Sequence, residues 1–145
     1  MAISADKIWM DGELIDFEKA TVHVLTHSLH YGLGVFEGIR CYERADGRAA
    51  IFRLREHARR LVESCHIATM PLPWSVDDVM DACIETVEAN GFKDCYIRPL
   101  AFLGDGEMGL SAMSNKVRLA IIAWPWGTYL GDDGIKNGIR AKISS

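Results

Sequence analysis

Two neighbouring stretches with helical spacing of apolar residues constrain the fold of this chain most strongly. Residues 55–68 and 76–89 each place an apolar stripe on one face and charged side chains on the other. Ser75 is a candidate N-cap for the second helix, and Asn90-Gly91 ends it. Each helix must therefore bury one face against another layer. The stripes consist of Leu54, Ala58, Leu61 and Cys65 in the first helix, and of Val76, Val79, Met80, Cys83, Ile84 and Val87 in the second.

Strand-like segments lie on both sides of these helices. Asp11-Gly12 separates two short apolar runs and predicts a tight hairpin, and Asp46-Gly47 predicts a second turn, followed by a strand at residues 49–54. Residues 21–25 alternate before a short helix capped by Thr26 or Ser28, and residues 95–103 and 117–124 read as strands. This order predicts an α+β fold, with a mainly antiparallel sheet and two helices packed on one face.

Composition excludes several classes of function. The chain has 145 residues, of which 49% are hydrophobic and 25% charged, as expected of an ordinary globular domain. The formal net charge of -4 argues against a nucleic-acid or anionic-membrane partner, and no apolar run approaches membrane-spanning length. The cysteines are widely spaced and read as buried free thiols in a reducing cytoplasm. They are Cys41, Cys65, Cys83 and Cys95.

Residues 30–42, His-Tyr-Gly-Leu-Gly-Val-Phe-Glu-Gly-Ile-Arg-Cys-Tyr, combine glycines, rings, a carboxylate and a guanidinium. If the part after Val35 is a strand, the side chains of Phe36, Arg40 and Tyr42 share one face with Gly38. An aromatic ring, a gap and a cation on one face suit a small ligand with an apolar end and an anionic end. The alternative is a glycine-rich turn that leads into an ordinary strand.

Arginine side chains supply further candidates for anion binding. Tyr96 and Arg98 are two residues apart on a predicted strand, so both project to one side and both can donate hydrogen bonds to a carboxylate. Arg98 has the alternative of pairing with an acid such as Asp94 or Glu107. On the first helix, Arg59 and Arg60 point about 100° apart, so at most one of them faces a ligand.

The remaining rings and histidines are less specific. Trp124, Trp126 and Tyr129 surround Pro125 and Gly127 and either wall an apolar pocket or fill a core. The five histidines lack the convergent spacing of a metal site, so no metal is predicted. Gly32-Leu33-Gly34 lacks the third glycine of a dinucleotide-binding loop.

Several ordered motifs together resemble the bacterial branched-chain amino-acid aminotransferases, which are fold-type IV enzymes that use pyridoxal 5′-phosphate. The motifs are His30-Tyr31-Gly32, Val35-Phe36-Glu37-Gly38-Ile39-Arg40, Arg55-Glu56-His57 with Arg60-Leu61, Tyr96-Ile97-Arg98-Pro99-Leu100, and Trp124-Pro125-Trp126-Gly127 with Tyr129-Leu130-Gly131.

The resemblance implies a role for each matched residue. Arg60 would contact the cofactor phosphate, Tyr96 the substrate α-carboxylate, and Arg98 the distal carboxylate of glutamate or 2-oxoglutarate. Arg40 would lie at the pocket edge, near anionic groups. The pocket for branched aliphatic side chains would be shaped by Phe36, Gly38, Trp126 and Tyr129. Tyr31, Met108 and Leu110 would reach the neighbouring subunit's pocket in a homodimer or higher homo-oligomer.

The resemblance also implies a division of the chain. Residues 1–127 would be the small N-terminal domain, and residues 128–145 the interdomain linker and the first strand of a cofactor-binding large domain, with that strand starting at Ile139. The Schiff-base lysine is expected beyond Ser145, and Lys142 does not match its motif. The chain alone would then not transaminate, whereas the whole protein would.

Two alternatives stay open. The same fold serves D-amino-acid aminotransferases and aminodeoxychorismate lyases, although residues 36–40 and 96–98 favour the branched-chain enzymes. The chain by itself is also compatible with a non-catalytic folding or dimerisation module, because its aromatic residues at 124–129 would be exposed without a second domain.

Overall fold

Two long strands with mainly buried side chains form the centre of the molecule. The computed structural model describes residues 5–111, 114–126, 134 and 136–143. In these ranges the strands are β1 (Lys7–Met10), β2 (Glu13–Asp16), β3 (Gly34–Phe36), β4 (Ile39–Glu43), β5 (Ala49–Ile51), β6 (Cys95–Leu103) and β7 (Val117–Trp124). The helices are α1 (His27–Tyr31), α2 (Leu54–Ile67) and α3 (Val76–Ala89), with a short 3-10 turn at Phe17–Lys19.

The strands form one seven-stranded sheet in the order β2-β1-β7-β6-β4-β5, and β3 also pairs with β6. Every pairing is antiparallel. The β6–β7 pair is the longest and runs from Tyr96 opposite Trp124 to Leu103 opposite Val117. The predicted α+β class and antiparallel sheet are therefore confirmed.

Both predicted amphipathic helices are present and pack on the same face of the sheet. All four stripe residues of α2 are buried, as predicted. In α3 the stripe turns slightly, because Ala82 and Thr86 are buried whereas Ile84 is exposed. Ser75 caps α3: its side chain accepts from the backbone N–H of Asp78, whose carboxylate accepts from the backbone N–H of Ser75.

The main core lies between these helices and the sheet. It includes residues of β4, β6 and β7 whose side chains point toward the helices and are fully buried. Residues of opposite phase on the same strands, such as Arg40, Tyr96 and Arg98, are only half-buried. We call the sheet face that carries these residues the open face. The core-facing set includes Ile39, Cys41, Cys95, Ile97, Leu119, Ile121 and Ala123.

Three predicted elements differ from the structure. Residues 21–25 form no strand, because they pair with no neighbour and Val24 is 70% exposed. Residues 139–143 likewise form no strand and are exposed, so the strand expected from Ile139 is not found among the described residues. The strand predicted at 49–54 is shorter, since α2 already begins at Leu54.

The glycine-rich stretch forms two strands with an interruption rather than one continuous strand. β3 ends at Phe36 and β4 begins at Ile39. Between them the backbone N–H of Glu37 donates to the carbonyl of Pro99, so the chain still follows β6. In the part of the chain that the structure describes, no helix is both long and apolar enough to cross a membrane.

Candidate functional site

The open face carries a cluster of aromatic rings around Tyr96. The Tyr96 ring lies 5.0 Å from that of Trp124 and 4.7 Å from that of Trp126, measured between centroids. Arg98 donates from Nη2 to the Tyr96 hydroxyl at 2.8 Å, and its Cζ lies 4.3 Å from the centre of the Phe36 ring. The alternation of β6 thus places a phenol and a guanidinium side by side, as predicted, against an aromatic wall.

Gly38 is required by the close approach of Tyr96. A Cβ atom built on Gly38 would lie 3.1 Å from Cζ of Tyr96 and nearer still to its hydroxyl oxygen. Any side chain there would displace the phenol. The predicted gap on this face is therefore occupied by the Tyr96 ring, which reaches across from the neighbouring strand.

The two arginines of the cluster have different partners. Arg40 forms an ion pair with Asp94 at 2.9 Å, and its Cζ lies 5.3 Å from the centre of the Tyr42 ring. Arg98 has no carboxylate within 4.0 Å among the described residues, so the alternative pairing of Arg98 with Asp94 or Glu107 is wrong. Its buried Nε also lacks a hydrogen-bond partner there. Arg98 is thus a half-buried cation whose charge no acid of the described chain neutralises.

Arg60 lies on α2 and forms an ion pair with the buried carboxylate of Glu37. Its Nε and Nη2 donate to the two oxygens of Glu37 at 2.5 and 2.6 Å. Nδ1 of His57 donates to Oε2 of the same carboxylate at 2.9 Å. The Glu37 side chain is 4% exposed, whereas that of Arg60 is 65% exposed. The guanidinium is therefore fixed at its Nε and Nη2 atoms, while much of the Arg60 side chain stays exposed to solvent.

The opposite charges of Glu37 and Arg60 stabilise each other. Burial by itself would raise the pKa of the Glu37 carboxyl, but hydrogen bonds from Arg60 and His57 outweigh it and hold that pKa below its ordinary value. The same contact with Glu37 raises the pKa of Arg60. Glu37 is consequently ionised at neutral pH.

The other arginines of α2 point elsewhere. Arg55 pairs with Asp77 of α3 at 2.9 Å, and Arg59 is exposed. Arg60 is therefore the member of this group that reaches the strand carrying the glycine-rich motif. This placement agrees with the expectation that Arg59 and Arg60 diverge.

Three further candidates lie together at one edge of the molecule. Nε2 of His27 contacts the carbonyl of Gly109 at 2.8 Å, and the His27 ring stacks on Tyr31 with centroids 4.4 Å apart. Met108 and Leu110 flank Gly109 in the chain and are 44% and 94% exposed. Tyr31, Met108 and Leu110 are thus neighbours and open to solvent. Tyr129 lies outside the described residues.

The open face also contains an apolar cavity of about 370 Å³. Phe36 lies in its wall and also contacts the guanidinium of Arg98, so the cavity adjoins the Tyr96 cluster. Its lining is mainly apolar and includes Ile8, Met10, Leu29, Leu100, Phe102 and Ile122. An apolar space beside an uncompensated cation can receive a ligand that carries both kinds of group.

The roles of Glu37, His57 and Asp94 could not be assigned from the sequence. One signal was available for the first two: His57 and Arg60 are three residues apart, which places them on one face of α2. Glu37 precedes β4 in the same alternating phase as the buried residues Ile39 and Cys41, and a buried acid needs a cationic partner. No sequence spacing indicated that Asp94 would meet Arg40, 54 residues earlier.

Comparison with known proteins agrees with this geometry. The model of the family described as amino-transferase class IV matches residues 34–145. The chain belongs to this family.

The relatives of this chain have closely similar names. It is 48% identical over 138 residues to a branched-chain-amino-acid aminotransferase of Pseudomonas aeruginosa, covering 95% of this chain and 45% of that protein. The crystal structure of the Escherichia coli branched-chain amino acid aminotransferase superposes with a TM-score of 0.90 at 43% identity, covering 98% of this chain and 47% of that one.

A third similar protein was solved together with pyridoxamine 5′-phosphate. A branched-chain amino acid aminotransferase from T.th., solved with pyridoxamine 5′-phosphate, superposes with a TM-score of 0.85 at 43% identity, covering 91% of this chain and 43% of that one. This class IV chain thus spans about half the length of the relatives it matches.

Proposed function

We propose that the protein to which this chain belongs is a transaminase that uses pyridoxal 5′-phosphate. It moves the amino group between leucine, isoleucine or valine and 2-oxoglutarate. The observation that carries the proposal is the half-buried guanidinium of Arg98, with which no carboxylate of the described residues pairs, at the margin of an aromatic and apolar face. The names of the relatives at 43–48% identity support the same reaction.

The proposed substrates differ mainly in their side chains. Leucine has a branched apolar end, whereas glutamate and 2-oxoglutarate have a second carboxylate. In our proposal Phe36, Gly38, Trp126 and Tyr129 shape the space for the apolar end, and Arg98 binds the distal carboxylate. An apolar pocket distinguishes substrates by only about 1–3 kcal/mol per methylene, so one site can accept all three branched amino acids.

Tyr96 would orient the substrate through its α-carboxylate. Its hydroxyl already accepts from Arg98, which leaves the phenol proton free for donation to a carboxylate oxygen. The rings of Trp124 and Trp126 restrict movement of the phenol and exclude water from one side. Arg40, held by Asp94, would add positive charge at the edge of the pocket.

The donor set of the described chain fits the phosphate of the cofactor at Arg60. Its Nε and Nη2 are used by Glu37, but Nη1 makes no hydrogen bond within the described residues, and the side chain is largely exposed. A permanently charged group with a free edge of donors suits a phosphate monoester. Pyridoxal phosphate, when bound, supplies the electron sink for amino-group transfer.

The exposed edge formed by Tyr31, Met108 and Leu110 suits a contact between subunits. We propose that in a homodimer or higher homo-oligomer these side chains complete the substrate pocket of the neighbouring subunit. We also propose that residues 1–127 form the small domain of the protein and that residues 128–145 lead into its cofactor-binding domain. Among the described residues the last sheet strand ends at Trp124, which supports this boundary.

The test compares L-leucine and D-alanine as amino donors, with 2-oxoglutarate as acceptor and the full-length protein as enzyme. Glutamate formation from leucine, isoleucine and valine is the expected result. Turnover of D-alanine alone would instead assign the protein to the D-amino-acid aminotransferases. Pyruvate release from aminodeoxychorismate without amino transfer would assign it to the lyases of the same fold.

A further inference from the structure

The buried carboxylate of Glu37 joins the interrupted edge of the sheet to α2. Glu37 lies between β3 and β4, and its backbone N–H is bonded to β6 through Pro99. Its side chain reaches away from the open face to His57 and Arg60, one turn apart on the helix. Three hydrogen bonds converge on one carboxylate that is 4% exposed.

We propose that Glu37 is the positioning residue for the phosphate-binding arginine, and that it holds Arg60 in one orientation with its Nη1 edge turned outward. This inference rests on the proposed role of Arg60 in cofactor binding and assigns Glu37 a function that its own contacts define. Glu37 touches neither substrate nor cofactor in this role. It acts through the guanidinium, and His57 fixes the carboxylate from its other side.

The first reason is conformational entropy. An exposed arginine samples many rotamers, and an anion that binds it must overcome the loss of that freedom. In this structure two parallel N–H···O bonds already fix the guanidinium plane before any anion arrives. Phosphate binding then needs less ordering of the protein, which strengthens binding.

The second reason is where the negative charge lies. The Glu37 carboxylate is buried behind the Nε–Nη2 edge of the guanidinium, whereas the Arg60 side chain is 65% exposed. A phosphate at the outer Nη1 edge is therefore separated from the carboxylate by the guanidinium. Direct competition between the two anions for the same donors is avoided.

His57 gives the carboxylate a second anchor. Its Nδ1 donates to Oε2, the oxygen that also accepts from Nη2 of Arg60. This bond limits rotation of the Glu37 side chain about its last torsion. Without it, the carboxylate could turn out of the guanidinium plane and the two-pronged contact would open.

A second arginine–glutamate pair at the start of the same helix supplies the matched control. Arg53 donates from Nε and Nη2 to one oxygen of Glu56, at 3.2 and 3.0 Å. Both of these side chains are more than half exposed. Glu56→Gln therefore also removes one carboxylate that pairs with an arginine, without affecting the triad of Glu37, His57 and Arg60.

The experiment measures the affinity of the cofactor-free full-length protein for pyridoxal 5′-phosphate and for pyridoxal, which lacks the phosphate. The affinity for pyridoxal 5′-phosphate divided by the affinity for pyridoxal reports the phosphate contact alone. Glu37→Gln should lower this ratio about tenfold, because the amide has a single acceptor oxygen and leaves at least one of the three donors that now point at the carboxylate without an acceptor. Glu56→Gln should leave the ratio unchanged.

Each other outcome has a definite meaning. An unchanged ratio in Glu37→Gln overturns the inference, and so does a raised ratio, which would mean that the carboxylate competes with phosphate. If both affinities fall equally, Glu37 is structural and the inference also fails. Glu37→Asp keeps the charge on a shorter side chain and should lower the ratio less than Glu37→Gln. If the glutamine variant does not fold, the aspartate variant is measured in its place, and a lowered ratio is again the expected result.

Arg60→Ala separates this inference from the proposed function. If Arg60→Ala lowers the ratio and Glu37→Gln does not, only the positioning role of Glu37 is wrong. If Arg60→Ala leaves the ratio unchanged, Arg60 does not bind the phosphate and the proposed cofactor contact itself fails.

Discussion

Replacing Gly38 with alanine tests the close packing at the centre of the candidate site. The added Cβ would lie 3.1 Å from Cζ of Tyr96, where ordinary contact begins at 3.4 Å, and nearer still to the hydroxyl. The phenol must therefore move. Trp124 and Trp126 pack against the ring, and Arg98 is bonded to its hydroxyl, so movement disturbs the whole cluster.

The magnitude follows from these contacts. Overpacking of a well-packed site costs about 1–3 kcal/mol, and we expect Gly38→Ala to reduce the free energy of unfolding by that amount. The effect on activity should be large, because Tyr96 is proposed to orient the substrate. A displacement of roughly 1 Å in a positioning group can reduce the rate about hundredfold, so kcat/KM for leucine should fall by about that factor.

A double-mutant cycle with Tyr96→Phe provides the assay. Removal of the hydroxyl takes away the nearest atom to the new Cβ, so Gly38→Ala should cost less stability in the phenylalanine background. Urea unfolding measures stability, and steady-state kinetics measure leucine turnover. Equal costs in both backgrounds, or an alanine variant with normal kcat/KM, would refute the proposed packing.

Three further predictions concern stability and are measured by urea unfolding. Leu61→Ala should cost about 2–5 kcal/mol, because this side chain of α2 is fully buried, whereas Glu63→Ala on the exposed side should cost little. Ser75→Ala should cost about 1 kcal/mol, because α3 loses the side-chain cap on Asp78 N–H. Glu37→Gln should cost more at pH 7 than in acid: the pKa of Glu37 is lowered on folding, so its stabilisation is complete above the ordinary value of 4.5 and is lost as the pH falls through the lower folded value.

Each of these predictions can fail in a recognisable way. Equal costs for the substitutions at 61 and 63 would contradict the buried face assigned to α2. An unchanged stability in Ser75→Ala would mean that water replaces the cap without loss. A cost of Glu37→Gln that stays constant between pH 7 and acid would mean that the carboxylate is not stabilised in its charged form.

The elements with the strongest local pattern were predictable from the sequence. The α2 stripe repeats at helical spacing and is buried at every predicted position. The long strand β6 alternates between buried and half-buried residues from Cys95 to Leu100, so Tyr96 and Arg98 lie on one face, as their spacing predicted. In contrast, residues 21–25 also alternate but form no strand, because alternation cannot provide a neighbouring strand to pair with.

The partners of the charged side chains were not predictable. Arg40 lies opposite Tyr96 in the β4–β6 register, which brings it to Asp94 near the start of β6. That register is decided by the packing of the whole sheet, and no local spacing reveals it. The same holds for Glu37, whose contact with α2 depends on the position of the helix on the sheet. The sequence thus indicated which arginines are candidates for anion binding, but left open which of them pairs with an acid of the chain.

Arg98→Gln in the full-length protein tests most directly the claim that one pocket serves both kinds of substrate. The measurement compares kcat/KM for 2-oxoglutarate with kcat/KM for the 2-oxo acid of leucine, which has no distal carboxylate. We expect the value for 2-oxoglutarate to fall by about 10–100-fold more than the other, since a charge-assisted, two-pronged contact with the carboxylate is lost. An equal loss for both oxo acids would contradict this division of the pocket.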